Sequence, residues 1–136
     1  MAFVTAKRPV AAAPIKVFVN GADGTQVEIG FVAQYHRHAK THVDSLLNGM
    51  INRRRKIAGD ELVKNPDGST PDFPFETDAD FIRAKMAGWL HVKNEGGSLR
   101  EFTDEALVDV MEDFPEIVSP LFNGFFEAHS GAKQKN

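Results

Sequence analysis

Thr77-Asp-Ala-Asp-Phe81-Ile-Arg-Ala-Lys-Met86-Ala-Gly-Trp89-Leu-His-Val-Lys-Asn94-Glu-Gly96-Gly97 is the stretch on which the fold turns. Thr77 with Asp78 and Asp80 is helix-start chemistry, a hydroxyl cap followed by acids in the first turn. Phe81, Ile82, Met86, Trp89 and Leu90 follow, and Asn94-Glu95-Gly96-Gly97 ends the run. The spacing predicts one helix carrying Trp89. Working toward the C-terminus, Leu99 to Phe102 reads as a short extended link. Thr103 then caps a helix with Asp104 and Glu105 in its first turn and Leu107, Val110, Met111 and Phe114 on one stripe. Pro115 breaks that helix, and Ser119-Pro120 restarts it with a cap and a proline at the first position. Leu121, Phe122, Phe125 and Phe126 form the last apolar face, and residues 131–136 are a polar tail.

Working toward the N-terminus, residues 60–76 hold Asn65-Pro66-Asp67-Gly68, Pro71 and Pro74 and read as a long surface loop. Before it, Thr41 opens a helix, with Asp44 placed to return a capping bond. Val43, Leu46, Leu47, Met50 and Ile51 make its apolar stripe, Arg53 to Lys56 offset the negative end of its dipole, and Gly59 stops it. Ile15, Val17 and Val19, then Val27, Ile29, Phe31, Ala33 and Tyr35, alternate with period two around Gly21-Ala22-Asp23-Gly24, which predicts a β-hairpin. Residues 1–13 read as a flexible arm. The expected fold is α+β, an N-terminal β-hairpin packed on a cluster of four to five α-helices, with a single domain over 14–130.

Composition narrows the function. With 136 residues, 42% hydrophobic and 26% charged, the chain is sized and balanced for one globular core. A formal charge of −3 supplies no basic field for nucleic acid or an anionic membrane. The absence of cysteine removes disulfides, thiol nucleophiles and thiolate metal sites. No apolar run approaches the roughly 20 residues of a membrane span, and the broken N-terminus is not a signal peptide. Eleven Phe against one Trp and one Tyr point to a Phe-packed core or an apolar binding surface.

Few motifs carry chemistry. His36, His38 and His42 form the one metal-like cluster, but His36 and His38 fall at a strand end and share no helix with His42. Arg53 to Lys56 lacks the interleaved aromatics of a nucleic-acid surface and fits a solvated helix end. Gly96-Gly97 lacks the residues of a phosphate cradle, and no serine sits in a nucleophile elbow. Asp78 with Asp80, and Glu112 with Asp113, fit a helix start and a solvent face. No enzyme and no cofactor are expected. Phe122, Phe125 and Phe126, with Phe114 upstream, exceed what a narrow core stripe on a short helix needs, so any exposed remainder is a contact surface.

The order of these features resembles the tail assembly chaperones of long-tailed, siphovirus-type bacteriophages and prophages. The resemblance rests on the hairpin Ile15–Val19 and Val27–Tyr35, on Ala87-Gly88-Trp89-Leu90-His91-Val92, and on the Gly96-Gly97 turn. It continues through Leu99-Arg100-Glu101-Phe102-Thr103, Leu107, Val110-Met111, Phe114-Pro115, the Phe-lined helix and Lys135-Asn136. It implies a late, non-enzymatic protein of the bacterial host cytoplasm that keeps the tape measure protein soluble and is absent from the mature virion. It also implies recruitment of tail tube protein through a longer, frameshifted form. The client surface expected here comprises Phe114, Leu121, Phe122, Phe125 and Phe126, supported by Trp89. Self-association stays open. The competing readings are a tail-completion or head–tail connector protein, a His-cluster metal protein, and a DNA-binding module using Arg53–Lys56.

Overall fold

The structure, a computed structural model, describes residues 2–130; Met1, the tail 131–136 and the Lys135-Asn136 ending lie outside the described residues. In chain order the elements are β1 (Val10–Asn20), β2 (Gln26–His36), α1 (Lys40–Ala58), α2 (Asp78–Lys85), β3 (Met86–Leu90), α3 (Asp104–Asp113), a 3-10 turn (Pro115–Ile117) and α4 (Val118–His129). The class is α+β. Contacts cluster in two units, one formed by the chain up to Arg37 and from Thr77 onward, the other by His38–Glu76.

In the first unit the hairpin forms as its alternation predicts, with β1 and β2 antiparallel and Ile15 opposite Phe31. Its turn closes by Gly24 N–H donating to Gly21 C=O at 3.0 Å and Gly21 N–H to Thr25 C=O at 2.7 Å. Gly24 takes φ +82°, which only glycine adopts without cost. Asp23 accepts from the Thr25 N–H and hydroxyl, and these bonds hold its carboxyl below the usual carboxylate range. β1 begins at Val10, inside the stretch assigned to the arm, because Ala11-Ala12-Ala13 carries no β-branched signal yet continues the ladder opposite Ala33–Tyr35.

The Trp-bearing segment departs from expectation. α2 starts at Thr77 as read, its hydroxyl accepting from Asp80 N–H at 3.1 Å, but it ends at Lys85. Met86–Leu90 is a strand, and the sheet has three strands in the order β1-β2-β3, not two. Trp89 lies opposite Ala33 and Gly88 opposite Gln34. The Gln34 side chain lies across Gly88, its amide oxygen 2.7 Å from where a Cβ would stand, so a larger residue there would have to turn that flexible side chain aside. Arg83-Ala84-Lys85 stay helical, but the helix preference of Met86 and Ala87 yields to strand pairing, a non-local term that propensity does not contain.

α4 lies on the inner sheet face. Tyr35, fully buried, donates its hydroxyl to Leu121 C=O at 2.6 Å, and burial, with Glu127 nearby, raises its phenol well above the ordinary value. Gly124 permits this approach, since a Cβ there would sit 2.5 Å from the Tyr35 hydroxyl. Tyr35→Phe is expected to lose about 1 kcal/mol, because Leu121 C=O keeps its helical partner and the ring still fills its site. Equal urea midpoints for the two proteins would show the bond contributes nothing. Helix α3 is capped by Thr103, whose hydroxyl accepts from Ala106 N–H at 2.9 Å. α4 instead continues from the 3-10 turn at Val118, so Ser119 lies within the helix and makes no cap bond.

In the second unit α1 starts at Lys40 after Ala39, without the Thr41 cap, and ends at Gly59, φ +77°. Its buried positions are Val43, Leu46, Gly49 and Asn52, whereas Leu47 and Ile51 are exposed. The buried face is thus rotated from the apolar stripe. Asn52 explains the rotation: its amide donates to Val63 C=O at 3.0 Å and Pro71 C=O at 3.1 Å, and its oxygen accepts from Val63 N–H at 2.7 Å. Residues 60–76 contain no helix or strand and are held on α1 by these bonds and by Arg53, which donates to Phe73 and Phe75 carbonyls. A polar side chain, not an apolar one, organises this face.

Candidate functional site

The first unit contains an open apolar cleft of about 230 Å³ between the inner sheet face, the segment after β3, α3 and α4. The cleft exists because β3 stops early. At His91 the backbone turns to φ +68°, the one non-glycine positive value among the described residues, and the chain leaves the sheet. The departing segment folds back on itself: Lys93 bridges Leu99, and the Gly96-Gly97 turn read from the sequence closes with Gly97 N–H donating to Asn94 C=O at 2.9 Å. Trp89 fixes the base of this turn, donating its indole N–H to Arg100 C=O at 2.8 Å and standing edge-on to Phe102 at 5.0 Å.

Phe31, Trp89, Leu107, Ile117 and Leu121 form the buried floor. Ile29, Val92, Val110 and Phe114 form the mouth, where Phe114 is 43% exposed. His91, Lys93 and Arg100 supply the polar rim, and the lining has no carboxylate. Arg100 reaches Asp109 at 3.6 Å. Such a site can bury apolar side chains and hold a neighbouring anion. It brings together no nucleophile–base pair.

The expected client residues divide. Phe114 stands at the mouth, exposed. Leu121 and Trp89 are buried in the floor, and Phe125 is wholly buried. Phe122 and Phe126 are half-buried in a ring cluster on Phe81, at centroid distances of 4.9 and 5.8 Å. The phenylalanines that looked surplus for one stripe are thus largely used: Phe81 of α2 gives α4 a second packing partner beside the sheet. Ile29, Val92 and Val110 were not singled out. Their signal, apolar residues at the edges of elements, is shared by ordinary core positions.

His38 and His42 stack ring on ring at 4.3 Å, and among the described residues no group of three or more His, Asp or Glu is arranged to hold a metal ion. Arg53, from the basic run, is turned to loop carbonyls and lies over the Phe73 ring at 5.1 Å. No described helix is long and apolar enough to cross a membrane.

The first unit is thus a small α+β structure with an open apolar cleft and a cationic rim. The whole chain, residues 1–136, matches the family described as phage tail assembly chaperone, and it belongs to that family. No curated protein and no solved structure matches it.

Proposed function

We propose that this protein binds the tape measure protein of a tailed phage in the host cytoplasm, keeps it soluble during tail assembly, and takes no catalytic part. The observation that carries this reading is the open apolar cleft on a chain whose full length matches the chaperone family. A holdase needs apolar surface to cover its client and charge elsewhere to stay dissolved. The cleft mouth at Phe114, Val92 and Val110 is the client surface, and Leu121 and Trp89 support it from beneath; Phe122, Phe125 and Phe126 pack instead on Phe81. Tail tube recruitment belongs to a longer, frameshifted form.

Co-expression with the tape measure protein tests this. Phe114→Ser with Val92→Ser is expected to leave the thermal transition nearly unchanged, since both residues are partly exposed, and to return the client to the insoluble fraction. Client that stays soluble with the folded double variant overturns the site. Fixed copies of the protein in purified virions would favour a connector role instead.

A further inference from the structure

The cleft continues an unfinished sheet edge. Gly21 N–H bonds Thr25 C=O across the turn, and antiparallel ladders alternate, so Val27, Ile29 and Phe31 bond β1 while Glu28, Gly30, Val32 and Gln34 face the other side. β3 meets that side only from Val32 to Tyr35. The edge N–H and C=O groups of Glu28 and Gly30 therefore have no strand beside them, at the place where β3 would have continued. Gly30 adds no side chain there, and an ideal Cβ on it would find nothing nearer than 4.0 Å. The opposite sheet edge is blunted: Pro14 of β1 sits where an edge N–H would point outward and has none to offer.

The same chain carries a matching strand. Ala2-Phe3-Val4-Thr5 precedes β1 with Phe3 90% and Val4 75% exposed, a β-prone segment whose apolar groups nothing covers. It cannot serve its own cleft. Val10 pairs with His36, and Arg37 N–H bonds Pro9 C=O, so the arm leaves the sheet at the end away from Gly30. Gly30 lies about 20 Å along β2 from His36, with two further strands to pass. The extended arm from Phe3 to Pro9 spans at most about 24 Å, and it sets out in the opposite direction.

We propose that the open β2 edge at Glu28–Gly30 receives the Ala2–Thr5 arm of a second copy of this chain as an added strand, with Phe3 filling the cleft. The arm then covers the surface assigned above to the client until the client displaces it. The inference rests on that reading only for this competition, and its test needs no client.

Sedimentation of the full-length protein should show a concentration-dependent dimer. Phe3→Ser with Val4→Ser should weaken it about tenfold or more, as should Gly30→Pro, which removes an edge N–H outside the β1–β2 ladder. The chain has no native cysteine, so mixing Thr5→Cys chains with Val92→Cys chains should give a disulfide-linked pair under mild oxidation. A monomer at every concentration overturns the proposal. So does a dimer indifferent to the arm and to Gly30, or a Thr5–Val92 link that forms only within one doubly substituted chain. If the dimer fails while Phe114→Ser with Val92→Ser still loses the client, the client surface stands alone.

Discussion

Phe125→Ala is expected to cost about 3–5 kcal/mol of folding stability, a large share of the about 5–15 kcal/mol that holds a typical domain together. Phe125 is 0% exposed. It stands edge-on to Phe81 at 5.1 Å, to Phe126 at 5.0 Å and to Tyr35 at 5.8 Å. Those rings cannot easily collapse into the vacancy: Tyr35 is tied to the Leu121 carbonyl, and Phe81 is wholly buried. The removed ring leaves a cavity lined by groups held elsewhere, the situation in which truncation costs most. Urea unfolding measures it, and a loss under about 1 kcal/mol would show that the cluster repacks freely. The result also sorts the client residues. Lost client solubility in a Phe125 variant reports unfolding, whereas the same loss at Phe114 reports contact.

Gly49→Ala is the second large effect, and its sign is the informative part. In an exposed helix this change stabilises by about 1 kcal/mol through backbone entropy. In α1 an added Cβ would fall 2.3 Å from the Asp72 carbonyl oxygen and 2.4 Å from its carbon, both backbone atoms. The 60–76 segment would have to lift, straining the Asn52 bonds to Val63 and Pro71. Overpacking of this kind costs about 1–3 kcal/mol, enough to outweigh the helical gain. The urea midpoint should fall. A rise would mean that the segment is only loosely laid on α1.

Much of the fold is legible in local chemistry. The hairpin follows from period-two alternation around Asp23-Gly24, the Thr77 and Thr103 caps from hydroxyls before acidic first turns, and Gly59 from its place after a basic helix end. Legibility fails where a partner distant in sequence decides. Met86–Leu90 is too short to display a period, and its strand state depends on β2. The rotated face of α1 depends on Asn52 meeting carbonyls 11 and 19 residues away, which no apolar count detects. The cleft is hidden for the same reason: it is a gap left by His91, and gaps have no residues of their own.

The sequence by itself determined that this is a cysteine-free α+β chain with a Phe-rich C-terminal helix, no evident catalytic motif, and the feature order of a tail assembly chaperone. Only the tertiary structure decided which phenylalanines are core, because burial is a property of neighbours. Phe81, brought under α4 by α2, takes up the edges of Phe122 and Phe126, while Phe114 is left at the mouth of a cleft that the early end of β3 opens.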